Sequence, residues 1–299
     1  MSPRYSIAII HLNMVDTVAQ SLTSILDQIG SEYEVVVVDD GSTDGSEEIL
    51  KRLENVYENL KIDFHAGNEN HGEARNHAVQ LAEGEYIIGD IDADNVYCPS
   101  IEEFVKIYHQ IEDVKEENFM LLGTGIYIAP RQLLIDIPYR SIGYGEDRDL
   151  YRRLLAKDAW LSLSHRGISA EIGYHDSIID WITNGVETIS NQFRSGVHLL
   201  PYLKWAAEEM VGKRTRISKV RGAMHLSVAI PAYVNSMRFE KLKTPENFQD
   251  IGKFKEKVVE NHMTLSQMED RFGISVDRES LRATGKWLYD INELTPRID

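Results

Sequence analysis

The chain has 299 residues, 48 acids against 32 bases for a net charge of −16, and ordinary apolar content, which suits one large domain or a domain with a substantial extension. That balance argues against a broad nucleic-acid-binding face, and it means an anionic ligand needs local help from a metal, an arginine or a helix N-terminus. The single cysteine, Cys98, excludes an intramolecular disulfide and any cysteine-rich zinc site, and a reducing, cytoplasmic setting is expected.

Residues 6–10 form the first apolar run, too short for a signal-peptide core, and no run approaches the ~18 apolar residues of a spanning helix. Val18, Leu22, Ile25, Leu26 and Ile29 then fall on one helical stripe, with Asp16 or Thr17 as cap and Gly30 as stop. Val35, Val36, Val37 and Val38 read as a strand buried on both faces, the habit of a parallel sheet covered by helices. It stops on Asp39 and Asp40, and Ser42, Thr43, Asp44 or Ser46 can cap the helix that follows. Residues 61–65 make a brief third strand, and a polar turn leads to a helix carrying Ala74, Ala78 and Leu81. Strand and helix alternate over the first 85 residues, predicting an α/β fold, a doubly wound, mostly parallel sheet with right-handed crossovers.

The next strand, residues 85–91, runs into a second acidic cluster, Asp90-Ile91-Asp92-Ala93-Asp94-Asn95. Pro99 precedes a helix whose buried stripe is Ile101, Phe104, Val105 and Ile111. Residues 119–128 are apolar and read as one strand, and Ala129-Pro130-Arg131 opens a helical turn. A glycine-flexed loop, 143–149, then feeds a helix with Leu150, Leu154 and Leu155 inside, and two more strands are expected at 160–164 and 168–174. Beyond about Thr183 the periodicity turns helical, so residues 1–183 read as the catalytic domain and 184–299 as a mainly helical extension. Within it Lys213, Arg214, Arg216, Lys219 and Arg221 form a basic run beside an apolar stretch, 223–234, broken by Pro231.

Asp92-x-Asp94 at a strand end can hold a divalent cation, since Mg²⁺ and Mn²⁺ favour carboxylate oxygens shared with water and phosphate. The competing calcium-loop pattern fails in its second half, with Asn95 where the loop needs glycine and Ile101 where it needs glutamate. Acidic turns after two strands of one parallel sheet should share an edge, the edge where such sheets bind ligands. That supplies the parts of a nucleotide-diphosphate site, with one acid for the base or ribose and another for the metal. Arg75 could add positive charge.

These residues resemble the family-2 glycosyltransferases, with their nucleotide-sugar-binding GT-A fold, over roughly residues 5–176. The resemblance rests on Val38-Asp39-Asp40-Gly41-Ser42-Thr43-Asp44-Gly45-Ser46, on Asn70-x-Gly72-x-Ala74-Arg75-Asn76, on Gly84-Glu85-Tyr86-Ile87 leading to Asp92-x-Asp94, and on Gly145-Glu146-Asp147-x-Asp149-Leu150. It implies that Asp40 hydrogen-bonds the nucleobase with Asp39 beside it, that Asp92 contacts ribose or diphosphate, and that Asp94 ligates Mn²⁺ or Mg²⁺. It implies further that Asp147 is the catalytic base with Glu146 next to it, and that His175 makes a second metal or diphosphate contact. Asn13 matches the asparagine after the first strand, while Leu12 departs from the aromatic the family usually has before it. The Asn70 to Arg75 turn is also shorter than usual.

The activity implied is transfer of a sugar from a nucleotide-diphosphate donor, with inversion, to a glycan hydroxyl or a lipid-linked acceptor, a polyprenyl phosphate among them. A non-catalytic nucleotide- or sugar-binding module on the same fold would lack the metal acid or the base, and both types are present. A nucleotidyltransferase would need a glycine-rich basic loop after the first strand, which His11-Leu12-Asn13-Met14 is not. The basic run at 213–221 suggests peripheral contact with the inner face of the cell membrane.

Overall fold

The computed structural model of the protein describes residues 2–65, 67–173, 178–211, 216–279 and 281–291. In chain order it runs β1 (Tyr5–His11), α1 (Val18–Leu26), β2 (Tyr33–Asp39), α2 (Ser46–Glu54), β3 (Leu60–Phe64), α3 (His71–Leu81), β4 (Tyr86–Gly89), β5 (Asn95–Tyr97) and α4 (Ile101–Glu112). There follow β6 (Met120–Leu122), β7 (Tyr127–Pro130), α5 (Arg131–Asp136), α6 (Glu146–Leu155), β8 (Trp160–Ser164) and β9 (Ser169–Glu171). The chain continues with α7 (Ile178–Arg194), α8 (Leu199–Val211), α9 (Arg216–Ser236), α10 (Ile251–Glu260), β10 (His262–Thr264), α11 (Leu265–Phe272) and α12 (Ala283–Tyr289).

The main sheet has the order β10-β8-β6-β7-β4-β1-β2-β3, with β7 the one strand antiparallel to its neighbours. Its organisation follows from β2. Strand side chains alternate between faces, so Val35 and Val37 join Ile7, Ile9, Leu22 and Phe104 on one side, while Val36 and Val38 join Ala78, Leu133 and Leu150 on the other. Each of the four valines is buried and contributes roughly 1.5–3 kcal/mol, which only a sheet covered on both faces can provide. Because β1 pairs in parallel with both β2 and β4, the acidic turns after β2 and β4 emerge at one sheet edge.

Several local expectations needed revision. The single strand expected over 119–128 is a hairpin, since the chain reverses between β6 and β7 with Gly125 at φ +77°. The strand expected at 168–174 shortens to β9, which leaves the main sheet and pairs antiparallel with β5, a strand too short to register in the sequence. Pro231 does not break its segment, because α9 passes through it as one helix. The extension read as mainly helical also returns to the sheet, with β10 pairing in parallel with β8. Met263, Leu265, Met268, Leu288 and Tyr289 of that return belong to the same core as β1 and β2.

Between these, α7, α8 and α9 build a separate cluster around Phe193, Tyr202, Trp205, Ala229 and Ala232. Gly222 makes the α8–α9 crossing close. A Cβ there would lie 2.5 Å from the Met210 backbone nitrogen and 2.7 Å from the Ala206 carbonyl. Gly222→Ala is therefore expected to destabilise the protein by about 1–3 kcal/mol in urea unfolding. An unchanged midpoint would mean the helices can part without cost. Among the described residues, no helix is long and apolar enough to cross a membrane.

Candidate functional site

The carboxyl edge of β1 and β2 is tied together by side chains the sequence offered as ligands. His11 Nδ1 lies 2.7 Å from Asp39 Oδ1, with both side chains buried. Ser42 donates its hydroxyl to Asp39 Oδ1 and its backbone N–H to Oδ2, at 2.5 and 3.2 Å. Asn13, in the left-handed region at φ +53°, accepts from Thr43 N at 2.8 Å, and its own N–H donates to Ser42 Oγ. Asp44 Oδ2 accepts from Val15 N. Asp39 and Asn13 thus lock the loops after β1 and β2 against each other. Asp40 Oδ1 accepts from the backbone N–H of Gly67 and Asn68, at 3.4 and 3.2 Å, and so seats the loop before α3.

The second acidic turn is equally constrained. Asp90 sits at φ +59°, and Gly89 before it has no room for a Cβ against the Tyr127 ring, 2.3 Å away. Tyr97 accepts from Asp92 N at 2.7 Å, and Ser21 donates to the Asp92 carbonyl. Thr17 holds the N-cap position of α1, one of the two residues expected there, but its hydroxyl donates to the Ala93 carbonyl at 2.9 Å and not to the helix. The β5–β9 pair finishes the turn, with Ile172 N donating to the Asp94 carbonyl. Burial, then the like charges of Asp92 and Glu171, push the Asp94 carboxyl above its ordinary range. Two crowded oxygen donors on a rigid turn are a fitting donor set for Mn²⁺ or Mg²⁺, whose charge would relieve that repulsion.

The third component arrives with α6. Gly145, at φ +93°, turns the chain into the helix so that Glu146 and Asp147 occupy its first turn. Glu146 is buried and accepts from Arg75 Nε at 2.8 Å, joining α3 to α6. Burial alone would lower the Arg75 pKa, but Glu146, Tyr139 and Asp92 outweigh it and hold the guanidinium charged. Asp147 Oδ1 accepts from the N–H of Arg148 at 2.7 Å.

Asp92, Asp94, Arg75, Glu146 and Asp147 line one cleft of about 410 Å³. The structure therefore brings together five of the sequence candidates. Asn13, Asp39 and Asp40 do not line this cleft and sit in the loop network beside it. His175 lies outside the described residues. Sequence reasoning missed His71, Tyr144, Arg148 and Tyr151, which also line the cleft. Arg148 stood inside the Glu146-Asp147 motif and could have been found there, whereas the aromatic pair His71–Tyr144, 5.0 Å between ring centroids, joins distant segments. Among the described residues, one further group has metal-ligand spacing, Asp63, His65 and His77 at the end of β3 and on α3. These three do not line the cleft.

Comparison with known proteins gives the following. The family model for glycosyl transferase family 2 matches residues 6–114. A Bacillus subtilis protein named for teichuronic acid biosynthesis, the glycosyltransferase TuaG, is 29% identical over 123 residues, 41% of this chain and 46% of its own length. The chain thus spans less than half the length of that curated relative. Among solved structures, the mannosyltransferase PcManGT from Pyrobaculum calidifontis, in complex with GDP-Man and Mn²⁺, aligns with a TM-score of 0.58 at 16% identity, covering 79% of this chain and 88% of that one. Glucosyl-3-phosphoglycerate synthase from Mycobacterium tuberculosis, in complex with phosphoglyceric acid, aligns at 0.51 and 18% identity, covering 65% of this chain and 82% of that one. At these identities the two structures are alike in fold.

Proposed function

We propose that this chain, whose residues 6–114 belong to glycosyltransferase family 2, moves a sugar from a nucleoside-diphosphate donor to an acceptor hydroxyl with inversion at the anomeric carbon. The observation that carries this reading is the single cleft shared by Asp92 and Asp94 on the β4 side and Asp147 on the α6 side. Asp94, with Asp92, would hold Mn²⁺ or Mg²⁺, which supplies Lewis-acid stabilisation of the departing diphosphate. Asp147 takes the proton of the acceptor hydroxyl as that oxygen attacks the anomeric carbon from the face opposite the diphosphate. Arg75, kept charged by Glu146, adds positive potential to the donor side. Asp39 and Asn13 act behind the site by fixing the loops, and Asp40 is the residue we assign to the nucleobase.

The experiment is a panel of UDP-, GDP- and dTDP-sugars with Mn²⁺, read by thermal shift and then by release of the nucleoside diphosphate. One donor at 100 times its dissociation constant should stabilise the protein by about 2.7 kcal/mol. No shift with any donor would remove the transferase reading.

A membrane-seated acceptor is the second reading. Leu200 and Val211 on α8 are 78% and 76% exposed, and Lys219 near the start of α9 is exposed beside them in sequence. The bases Lys213 and Arg214 of the same run lie outside the described residues. Basic residues at an anionic leaflet contribute roughly 1 kcal/mol each. Flotation with anionic liposomes at low salt, lost at high salt, is expected on this reading. Protein at the bottom of both gradients contradicts it.

A further inference from the structure

Helix α6 has a second functional face. Arg148, the residue after Asp147, and Arg152, one turn further, stand on one side of the helix and line a partly enclosed pocket whose wall also includes Lys255, His225 and His262. Asp147, Arg148 and Tyr151 line both this pocket and the donor cleft, so they form the partition between the two.

Arg152 is the anomaly. It is 1% exposed, its Nη2 donates to the neutral Gln192 Oε1 at 2.9 Å, and its guanidinium stacks over Phe254 at 4.7 Å. Its Nε and Nη1 meet no hydrogen-bond partner among the described residues. Of the two carboxylates on its own helix that favour its charge, Asp149 is already engaged by Arg140 and Arg153, at 3.1 and 2.9 Å, and Asp147 lines the same pocket. Burial lowers the Arg152 pKa only to about 10, so it stays protonated at neutral pH. The same surroundings push His225 down to about 4, through burial and the positive charges of Lys255, Arg148 and Arg221. In a chain of net charge −16 this is a local concentration of positive charge. Arg152 is buried with Asp149 and Asp147 favouring its charge only through space, with no hydrogen-bonded carboxylate among the described residues, which is costly. The pocket is about 100 Å³, room for roughly three waters and so for one tetrahedral oxyanion.

We propose that this pocket seats a phosphate group carried by the acceptor, with the acceptor's hydroxyl reaching across the partition to Asp147. The inference rests on the transferase reading above and names its acceptor class, a phosphorylated alcohol. In the transfer step the bond from the anomeric carbon to the diphosphate oxygen breaks and the bond to the acceptor oxygen forms. The hydroxyl proton passes to Asp147, and the seated phosphate is unchanged.

The test uses the full chain, free of metal, and inorganic phosphate as the probe against sodium chloride of equal ionic strength. Wild type should bind phosphate by calorimetry. Arg152→Met and Lys255→Gln should each weaken it roughly tenfold or more, the loss expected for a charge-assisted partner, and Asp94→Asn should leave it unchanged. Lys255 lines the pocket half-buried, so Lys255→Gln decides the matter even where Arg152→Met fails to fold. No phosphate binding in wild type, or equal binding in both variants, overturns the proposal. Glycerol phosphate and a short-chain monoacylglycerol phosphate, each with a free hydroxyl, are then offered as competitors. Displacement by either supports the seat and separates a soluble source from a lipid one, and displacement by neither overturns it. Donor binding with Mn²⁺ is measured on the same samples. Its absence in wild type would refute the transferase reading alone, and its presence without phosphate binding would refute the pocket alone.

Discussion

Asp147→Asn should lower sugar transfer by about 10²- to 10⁴-fold while leaving donor affinity unchanged, the loss expected for a positioned general base. The asparagine keeps the size of the side chain and can still accept from Arg148 N through its oxygen, so α6 and its Gly145 turn should survive. What it cannot do is take a proton. A base acts on the acceptor, so the effect should fall on turnover and spare the donor dissociation constant. The check is steady-state transfer alongside donor calorimetry on both proteins. Full transfer to a hydroxyl acceptor in the variant would remove Asp147 from the mechanism. A change in donor affinity equal to the change in rate would move it to the donor side.

Arg75→Leu should cost about 3–5 kcal/mol of stability, because it leaves the Glu146 carboxylate buried at 7% side-chain exposure without its counter-ion. The double replacement Arg75→Leu, Glu146→Leu should recover much of that loss, since burying two apolar side chains avoids the desolvation of two charges. Urea unfolding of the three variants and wild type closes the cycle. Additive losses would show that the two side chains are not coupled. The pair matters for function as well as stability, since it joins α3 to the first turn of α6 and so fixes where Asp147 stands across from Asp92 and Asp94.

The strand–helix alternation of the first 85 residues was legible because both causes are local. Val35 to Val38 can only be satisfied with cover on both faces, and acids directly after strands β2 and β4 must emerge at one edge when those strands run parallel. Asp92 and Asp94 were marked as an acidic pair at a strand end and Asp147 by the motif resemblance, and the three line one cleft. The helical character of the last third was legible, but its return to the sheet was not, because the strand signals are weak. β10 spans only His262–Thr264, too short for a period-two pattern, and the same brevity hid β5, Asn95–Tyr97, in the first third. Pro231 suggested a break that the packing of Ala229 and Ala232 overrides. The roles of Asp39 and Glu146 were illegible because their partners are distant. His11 and Asp39 are 28 residues apart, and Arg75 and Glu146 are 71. An acid in a motif does not reveal whether it faces a ligand or a buried partner.

The central claim is that Asp92 and Asp94 form a metal-dependent diphosphate site in the cleft they share with Asp147. Calorimetric titration of UDP and GDP into the wild-type chain, with Mn²⁺ and again after complete chelation, tests it most directly. The account predicts that one nucleotide binds with Mn²⁺, that the binding disappears on chelation, and that Asp94→Asn abolishes it even with metal present. Equal affinity with and without metal would contradict the account.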